Sequence, residues 1–315
     1  MKWSLERAGG YGGDFATVLA SLSTANRADV VFSTVDTVGI PLMLLKRTGR
    51  LRVPLVYTAI GLPERIVHVR SERMRRRYAT ALGACAAIVA YSEHEAAVLR
   101  RWLAKYGQPA PVEFVPFGVH VDHFRPTSEP AAVDVLSVGA DPHRDFELLR
   151  AVATRMPAFS FRIVTTADRA RELGTMPKNT LIEADLPFED MRRRLSQART
   201  VALPVQENSY SGATTVLLQA MAMQKPVVVT RTSAIASGYG LVDGENCRLV
   251  SPGDVDGFER ALSDVLRNDL HARSLAARAR VTAERELAWD LYVDRIERLL
   301  SAAAGASARG RSRPA

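Results

Sequence analysis

Ten short apolar runs, separated by segments of helical periodicity, constrain this chain more than any other feature. Asp29–Ser33, Pro54–Thr58, Ala87–Tyr91 and Val112–Val115 come first. Asp134–Val138, Phe161–Val164, Thr180–Glu183, Thr200–Leu203, Val227–Thr230 and Cys247–Val250 follow. They are rich in Val and Ile and too short for helices, so they predict buried strands. Amphipathic segments such as Phe146–Thr154, Glu189–Ala198 and Thr214–Met223 lie between them. Strand–helix–strand alternation predicts an α/β chain with parallel sheets covered by helices on both faces. The polar, proline-bounded Thr127-Ser128-Glu129-Pro130 separates an expected first domain, 1–126, from a second, 131–284. A closing helix over 285–300 is expected to pack back on the first domain, and the Ala/Gly/Ser/Arg-rich 301–315 to be disordered. Ligands of open parallel sheets bind beyond the carboxyl ends of the strands, and two such sheets facing each other make a cleft.

Composition narrows the class. Of 315 residues, 47% are hydrophobic and 24% charged, which is ordinary for a globular protein. The longest apolar stretch, Ala81–Ala90, is about ten residues, and a membrane-spanning helix needs ~20. Met1–Glu6 has no apolar signal core, so no secretory address is expected. The two cysteines, Cys85 and Cys247, stand far apart and offer neither a disulfide framework nor a zinc cluster, which suits a reducing cytoplasm. His94, His120 and His123 lack metal-ligand spacing, so no metal site is expected. The net charge is +8, and residues 1–126 carry 17 Lys/Arg against 10 Asp/Glu. The densest cluster is Arg65, Arg70, Arg73, Arg75, Arg76 and Arg77. It reads as a solvated helix face or as a surface attracted to anionic lipid or a phosphorylated acceptor. It has no nucleic-acid module, and Tyr78 is its only adjacent aromatic, so nucleic acid is not an expected partner.

The most informative stretch is Thr200–Thr230. A strand ends at Pro204-Val205, a polar loop follows through Gly212, and Ala213–Met223 forms a helix before the next strand. Free N–H groups and the helix dipole favour an anion at that helix start. Gly212 would let backbone approach a phosphate, and Ser211, Thr214 and Thr215 could add hydroxyl donors. Gln219 lies about two turns on, on nearly the same face. An ordinary helix capped by Ser211 fits the same residues.

Pro204–Pro226 resembles the donor signature of family 4-type retaining glycosyltransferases, whose fold is glycosyltransferase-B. That signature reads Glu-x7-Glu-Ala-Met-Ala, a turn, and Pro-Val-Val; here Gln219-Ala220-Met221-Ala222 and Pro226-Val227-Val228 fall in register. Val115–Pro126 resembles the family's interdomain segment. Leu136–Gly139 with His143–Phe146 resembles its first C-domain unit. Gly244–Asp254 and the helix with Trp289 and Tyr292 also match in order. The resemblance implies two Rossmann-like domains facing a cleft, the first of them shortened. It implies sugar transfer from a nucleotide diphosphate-sugar to an acceptor hydroxyl, without a metal, with retention, and with no cofactor beyond that donor substrate.

The departures are as definite. Ser211 and Gln219 replace the two signature carboxylates, which in the family contact donor sugar and ribose; Glu207 is a nearby substitute. Thr214 replaces a family glycine. After Gly139, Ala140 takes the family's phosphate-clamping Arg position and His143 its Lys position, with Arg144 beside it as the better diphosphate ligand. The base is expected near Asp185–Phe188. In the first domain Ile60-Gly61-Leu62-Pro63-Glu64-Arg65 stands where the family has a histidine, and Gly9–Gly13, at the place of the family's glycine-rich donor loop, reads as a turn before a helix Asp14–Leu22. Asp36, just past a strand end, reads as a helix N-cap or as a cleft acid that orients the acceptor hydroxyl. The expected acceptor is a glycan, lipid or small molecule, and the expected location the cytoplasm, with contact to an anionic inner membrane face through Arg65–Arg77. A catalytically silent nucleotide-sugar-binding or partner subunit of the same fold is the alternative, and a sugar-nucleotide epimerase a third reading.

Overall fold

The computed structural model describes residues 13–108, 110–210 and 212–311. The chain divides into two compact units, Met1–Pro116 with Val293–Ala315, and Phe117–Tyr292. All ten expected strands form, each within a residue or two of its sequence-derived bounds.

The first unit contains α1 (Phe15–Ala25), β1 (Val31–Ser33), α2 (Asp36–Arg47), β2 (Leu55–Ala59), α3 (Leu62–Val67), α4 (Glu72–Leu82), β3 (Ala87–Ala90), α5 (Glu93–Lys105) and β4 (Val112–Phe114). The strands lie in the order β1-β2-β3-β4, all parallel. Every residue of β2 and β3 is buried, as expected for inner strands covered on both faces. Ile40, Met43, Tyr57, Leu82, Ile88 and Leu99 fill the core.

A glycine and a proline explain how α1 and α2 meet. Pro41 has no N–H for the Thr37 carbonyl one turn back, and the Asp14 N–H takes that carbonyl instead, at 2.8 Å. Gly13, at φ +64°, leads into this contact; a Cβ there would sit 2.5 Å from Pro41 Cδ. Of the glycine turn expected before the helix, Gly9, Gly10, Tyr11 and Gly12 lie outside the described residues. Asp14 caps α1, accepting from Thr17 N at 3.1 Å. Gly39 faces the buried Tyr57 ring, and a Cβ there would fall 2.2 Å from Cε2.

The second unit contains β5 (Val133–Val138), α6 (Phe146–Arg155), β6 (Phe161–Thr165), α7 (Ala167–Leu173), β7 (Thr180–Ala184), α8 (Phe188–Ser196), β8 (Ala198–Leu203), α9 (Thr214–Ala222), β9 (Val227–Thr230), β10 (Arg248–Val250), α10 (Val255–Arg267) and α11 (Asp269–Glu286). Its parallel strands lie in the order β10-β9-β8-β5-β6-β7. Counted from the unit's own first strand this is the doubly wound order 3-2-1-4-5-6, and the winding reverses between β5 and β8.

Three expectations about boundaries are corrected. The second unit begins at Phe117 rather than after residue 130. Phe117 packs on Trp289 (5.8 Å) and Tyr292 (5.4 Å), and Val119 N–H bonds the Leu287 carbonyl at 2.8 Å, so this segment is held well before the polar linker. The closing helix over 285–300 is instead the end of α11 and a separate helix, α12 (Trp289–Arg311). Its residues from Val293 onward group with the first unit. The segment expected to be disordered is helical through Arg311, and 312–315 lie outside the described residues. Alanine is the best helix former, and extending an existing helix needs no new nucleus.

Substituting Gly39→Ala should destabilise the first unit by about 1–3 kcal/mol through overpacking against Tyr57. A lower urea midpoint, with unchanged far-ultraviolet circular dichroism, is the expected result.

Candidate active site

The reversal between β5 and β8 leaves a gap at the carboxyl ends of these strands, and two loops fill it. One runs from Gly139 to Asp145 and the other from Pro204 to Gly212. Asp145 N–H donates to the Pro204 carbonyl at 3.0 Å, and Gln206 N–H to the His143 carbonyl at 2.8 Å. Arg144 and Val205 thereby face each other in an isolated antiparallel bridge. Val205 N–H is held in turn by Thr230 Oγ1 at 2.9 Å. Arg169, on α7, donates to the carbonyls of Asp141 and Pro142 at 3.3 and 3.2 Å.

This scaffold fixes Arg144 as a buried cation. The residue is 4% exposed, and its Nε and Nη1 have no hydrogen-bond partner. Its guanidinium lies over Gly139, where φ is +144° and a Cβ would sit 2.5 Å from Nε. Glycine is required here for both space and conformation. Burial lowers the Arg144 pKa to about 10, partly offset by the nearby Asp141 charge, so the group stays cationic at neutral pH. A buried guanidinium with two unpartnered nitrogens is costly to hold in the fold.

The start of α9 supplies the second half. Among the described residues its N-cap, Ala213, makes no side-chain cap bond and its first turn holds no acidic residue, so the positive end of the helix dipole is not offset by an acid there. Ser211, expected as a cap or hydroxyl donor, lies outside the described residues, and the N-cap position is Ala213. Thr214 is buried with an unpartnered Oγ1, whereas Thr215 is exposed. Gln219, 7% exposed, keeps an unpartnered Oε1. Gly212 is in contact with Asp141, whose Oδ1 would stand 2.9 Å from a Cβ at 212. Asp141 accepts from His143 N–H at 2.8 Å and from Tyr210 Oη at 2.7 Å, and the His143 and Tyr210 rings meet edge to face at 5.5 Å.

The structure thus brings Gly139, His143, Arg144, Gly212, Thr214 and Gln219 to the loops and helix at the switch point. Glu207 does something else: its Oε1 accepts from Ser233 N–H at 2.8 Å, bracing the turn after β9. Asp185 closes β7 at φ +51°, with Oδ1 accepting from Ala167 N–H at 3.1 Å. Phe188 follows with half its surface exposed, stacked on His123 at 5.5 Å. Asp141 and Tyr210 were not among the expected site residues; the Asp141-Pro142 turn sequence is the one signal that could have drawn attention to the first.

Asp36 belongs to the first unit. It is not the N-cap of α2, which is Val35, but its first helical residue. Tyr57 Oη donates to its Oδ1 at 2.5 Å, and Arg65 Nη1 stands 3.0 Å from its Oδ2. Burial raises its pKa, against the lowering effects of Tyr57, Arg65 and the Ile60 N–H. A second carboxylate was missed: Glu95 of α5 is fully buried and accepts from Gly61 N–H at 2.8 Å. Gly61 precedes α3 in the left-handed region and has no side chain to cap that helix, so Glu95 caps it from outside. Burial pushes the Glu95 pKa up to about 8, with Asp36 and Glu64 adding to the rise. Both cysteines are buried and free, and burial raises each thiol to about 12. Among the described residues no helix is long and apolar enough to cross a membrane.

Two Rossmann-like parallel-sheet units, the second with its switch point between β5 and β8, have the glycosyltransferase-B fold. Residues 138–268, most of the second unit, match the family described as Glycosyl transferases group 1. A curated relative, the MMP alpha-(1->4)-mannosyltransferase of Mycolicibacterium hassiacum, is 31% identical over 104 residues, 33% of this chain. The match spans 24% of that relative's length. Sucrose-phosphate synthase from Thermosynechococcus elongatus shares the fold with a TM-score of 0.72 at 18% identity, over 92% of this chain and 79% of that one. Anabaena HepE in complex with UDP and glucose does so at 0.74 and 16%, over 90% and 81%.

Glu95 generates a pH prediction. Its unfolded value is near 4.5 and its folded value about 8, so its contribution to stability is present in full below pH 4.5 and is lost as pH rises to 8. Glu95→Gln keeps the acceptor for Gly61 N–H and cannot ionise. Urea titrations from pH 5 to 8.5 should therefore show wild type losing a few kcal/mol relative to this variant as pH rises.

Proposed function

We propose that the protein is a glycosyltransferase that moves a hexose from a nucleotide diphosphate-sugar to an acceptor hydroxyl, without a metal and with retention at the anomeric carbon. The observation that carries this reading is buried Arg144, with Nε and Nη1 unpartnered, on a loop whose Asp141 lies against Gly212 just before α9. An isolated cation and free helix amides fit a diphosphate that arrives with its own charge. As the bond between the anomeric carbon and the diphosphate breaks, negative charge grows on the leaving oxygen, and Arg144 and the α9 amides stabilise it. This assigns to protein groups the neutralisation that a metal supplies elsewhere. Gln219 Oε1 accepts from a ribose hydroxyl, and Thr214 Oγ1 bonds a phosphate oxygen. The base lies near Asp185–Phe188, where Phe188 offers an exposed ring. Uridine is the first base to test, because HepE, of the same fold, is seen in complex with UDP-glucose.

The first unit takes the acceptor in this reading. Asp36, held by Tyr57 and Arg65 at the carboxyl end of the β1–β2 pair, orients its hydroxyl. Arg70, Arg73, Arg76 and Arg77 are exposed, and Val67 beside them is 71% exposed. Cations around a protruding apolar side chain suit the cytoplasmic face of an anionic membrane and a lipid-borne acceptor. A silent nucleotide-sugar-binding subunit is favoured by one observation, the neutral Gln219 at a signature carboxylate position. Turnover with a donor and acceptor panel separates the two.

Arg144→Ala should weaken binding of UDP- and GDP-sugars at least a hundredfold by calorimetry. It should leave the melting temperature unchanged or raised, because removing an uncompensated buried charge removes a desolvation cost. Unchanged affinity would take Arg144 out of the donor site.

A further inference from the structure

We propose that Asp141 is the residue by which this site prefers a loaded donor to the bare nucleoside diphosphate. The proposal rests on the donor-site reading above and adds a role to a residue that reading does not use. The anion cradle contains an anion of its own. Asp141 lies against Gly212, just before the uncapped start of α9, with Oδ1 and Oδ2 at 2.9 and 3.1 Å from the place a Cβ on Gly212 would occupy. Its charge is felt at Arg144, which is nine-tenths buried with two unpartnered nitrogens. Yet no ion pair joins Asp141 to Arg144 among the described residues. Tyr210 Oη and the His143 N–H, both neutral donors, hold the carboxylate in place instead.

A fixed carboxylate beside a diphosphate repels it, so it cannot be there to bind the phosphates. Oδ1 accepts from the His143 N–H and Oδ2 from Tyr210 Oη, which leaves each oxygen a lone pair to spare. The partner that suits those lone pairs is a neutral hydroxyl donor. A sugar attached to the diphosphate brings such hydroxyls to within a few ångströms of the phosphates. The hexose of the donor therefore offsets the repulsion by hydrogen-bonding to Asp141. Once the hexose has been transferred, the repulsion stands alone and favours departure of the nucleoside diphosphate.

Asp141→Asn is nearly isosteric and keeps an acceptor for the His143 N–H, so the loop should hold. Calorimetry is run on wild type, Asp141→Asn and Tyr210→Phe with UDP, GDP and a panel of their sugar conjugates. Asp141→Asn should bind the nucleoside diphosphate about tenfold more tightly and the sugar conjugate no more tightly, so that the preference for the loaded donor collapses. Tyr210→Phe keeps the charge and the His143 N–H contact to Oδ1, which still holds the carboxylate over Gly212, but removes the anchor on Oδ2; it should leave affinity for the diphosphate unchanged and weaken the conjugate severalfold. Equal shifts for diphosphate and conjugate in Asp141→Asn, or no shift in either, would overturn the proposal. Wild type that binds none of the panel would instead overturn the donor-site reading itself.

Discussion

A single buried cation, Arg144, organises the second unit. Burying the Arg144 guanidinium with Nε and Nη1 unpartnered is unfavourable, and the surrounding structure is arranged to hold it there nonetheless. Gly139 gives it space, the Asp145–Pro204 and Gln206–His143 hydrogen bonds stitch its loop to the loop after β8, and Thr230 braces that loop from β9. The position follows from topology: β5 and β8 are neighbours in the sheet, but their outgoing chains run to opposite faces, so only there can two loops part and admit a ligand. The strain of the isolated cation is then the counterpart of affinity for an anion, and the helix start of α9 adds its dipole without adding a competing cap.

The first unit handles charge in the opposite way. Its buried groups are carboxylates, and each is held by donors: Asp36 by Tyr57 and Arg65, Glu95 by the Gly61 N–H. These contacts pin the segment from Gly61 to Arg65 after β2, the place where a ligand of this parallel sheet is expected. Because desolvation keeps Glu95 largely neutral near pH 7, this anchoring costs less than two ionised carboxylates side by side would.

The fold was legible because it is written in period and length. The strand runs and the intervening amphipathic segments survive any uncertainty about their ends, and even the group of residues around Arg144 and Gly212 followed from the order of motifs. What escaped was fixed by contacts between segments distant in the chain. Ser92-x-x-Glu95 is spelled like a capping box, and Ser92 does accept from the Glu95 N–H at 3.3 Å; but the Glu95 side chain leaves its own helix to cap α3. Glu207 looks like a spare carboxylate beside the cradle and turns out to brace Ser233. The alanine-rich end reads as disorder because its composition lacks bulky apolar residues, although the same alanines favour the helix that forms.

The same geometry accounts for how opposite charges coexist at the switch point without cancelling. Were Asp141 free to rotate onto Arg144, the two would neutralise each other and the cradle would lose its attraction for phosphate. The hydrogen bonds from Tyr210 and from the His143 N–H keep the carboxylate over Gly212, where adding even a methyl group would displace it. His143, which the sequence offered as a phosphate ligand, is placed with its backbone toward Asp141 and its ring against Tyr210. It serves the site by holding the acid and the guanidinium apart. In the proposed site, separation of charge, rather than the number of charged groups, is what would let one small loop offer both a cation to the phosphates and an acceptor to neutral hydroxyls.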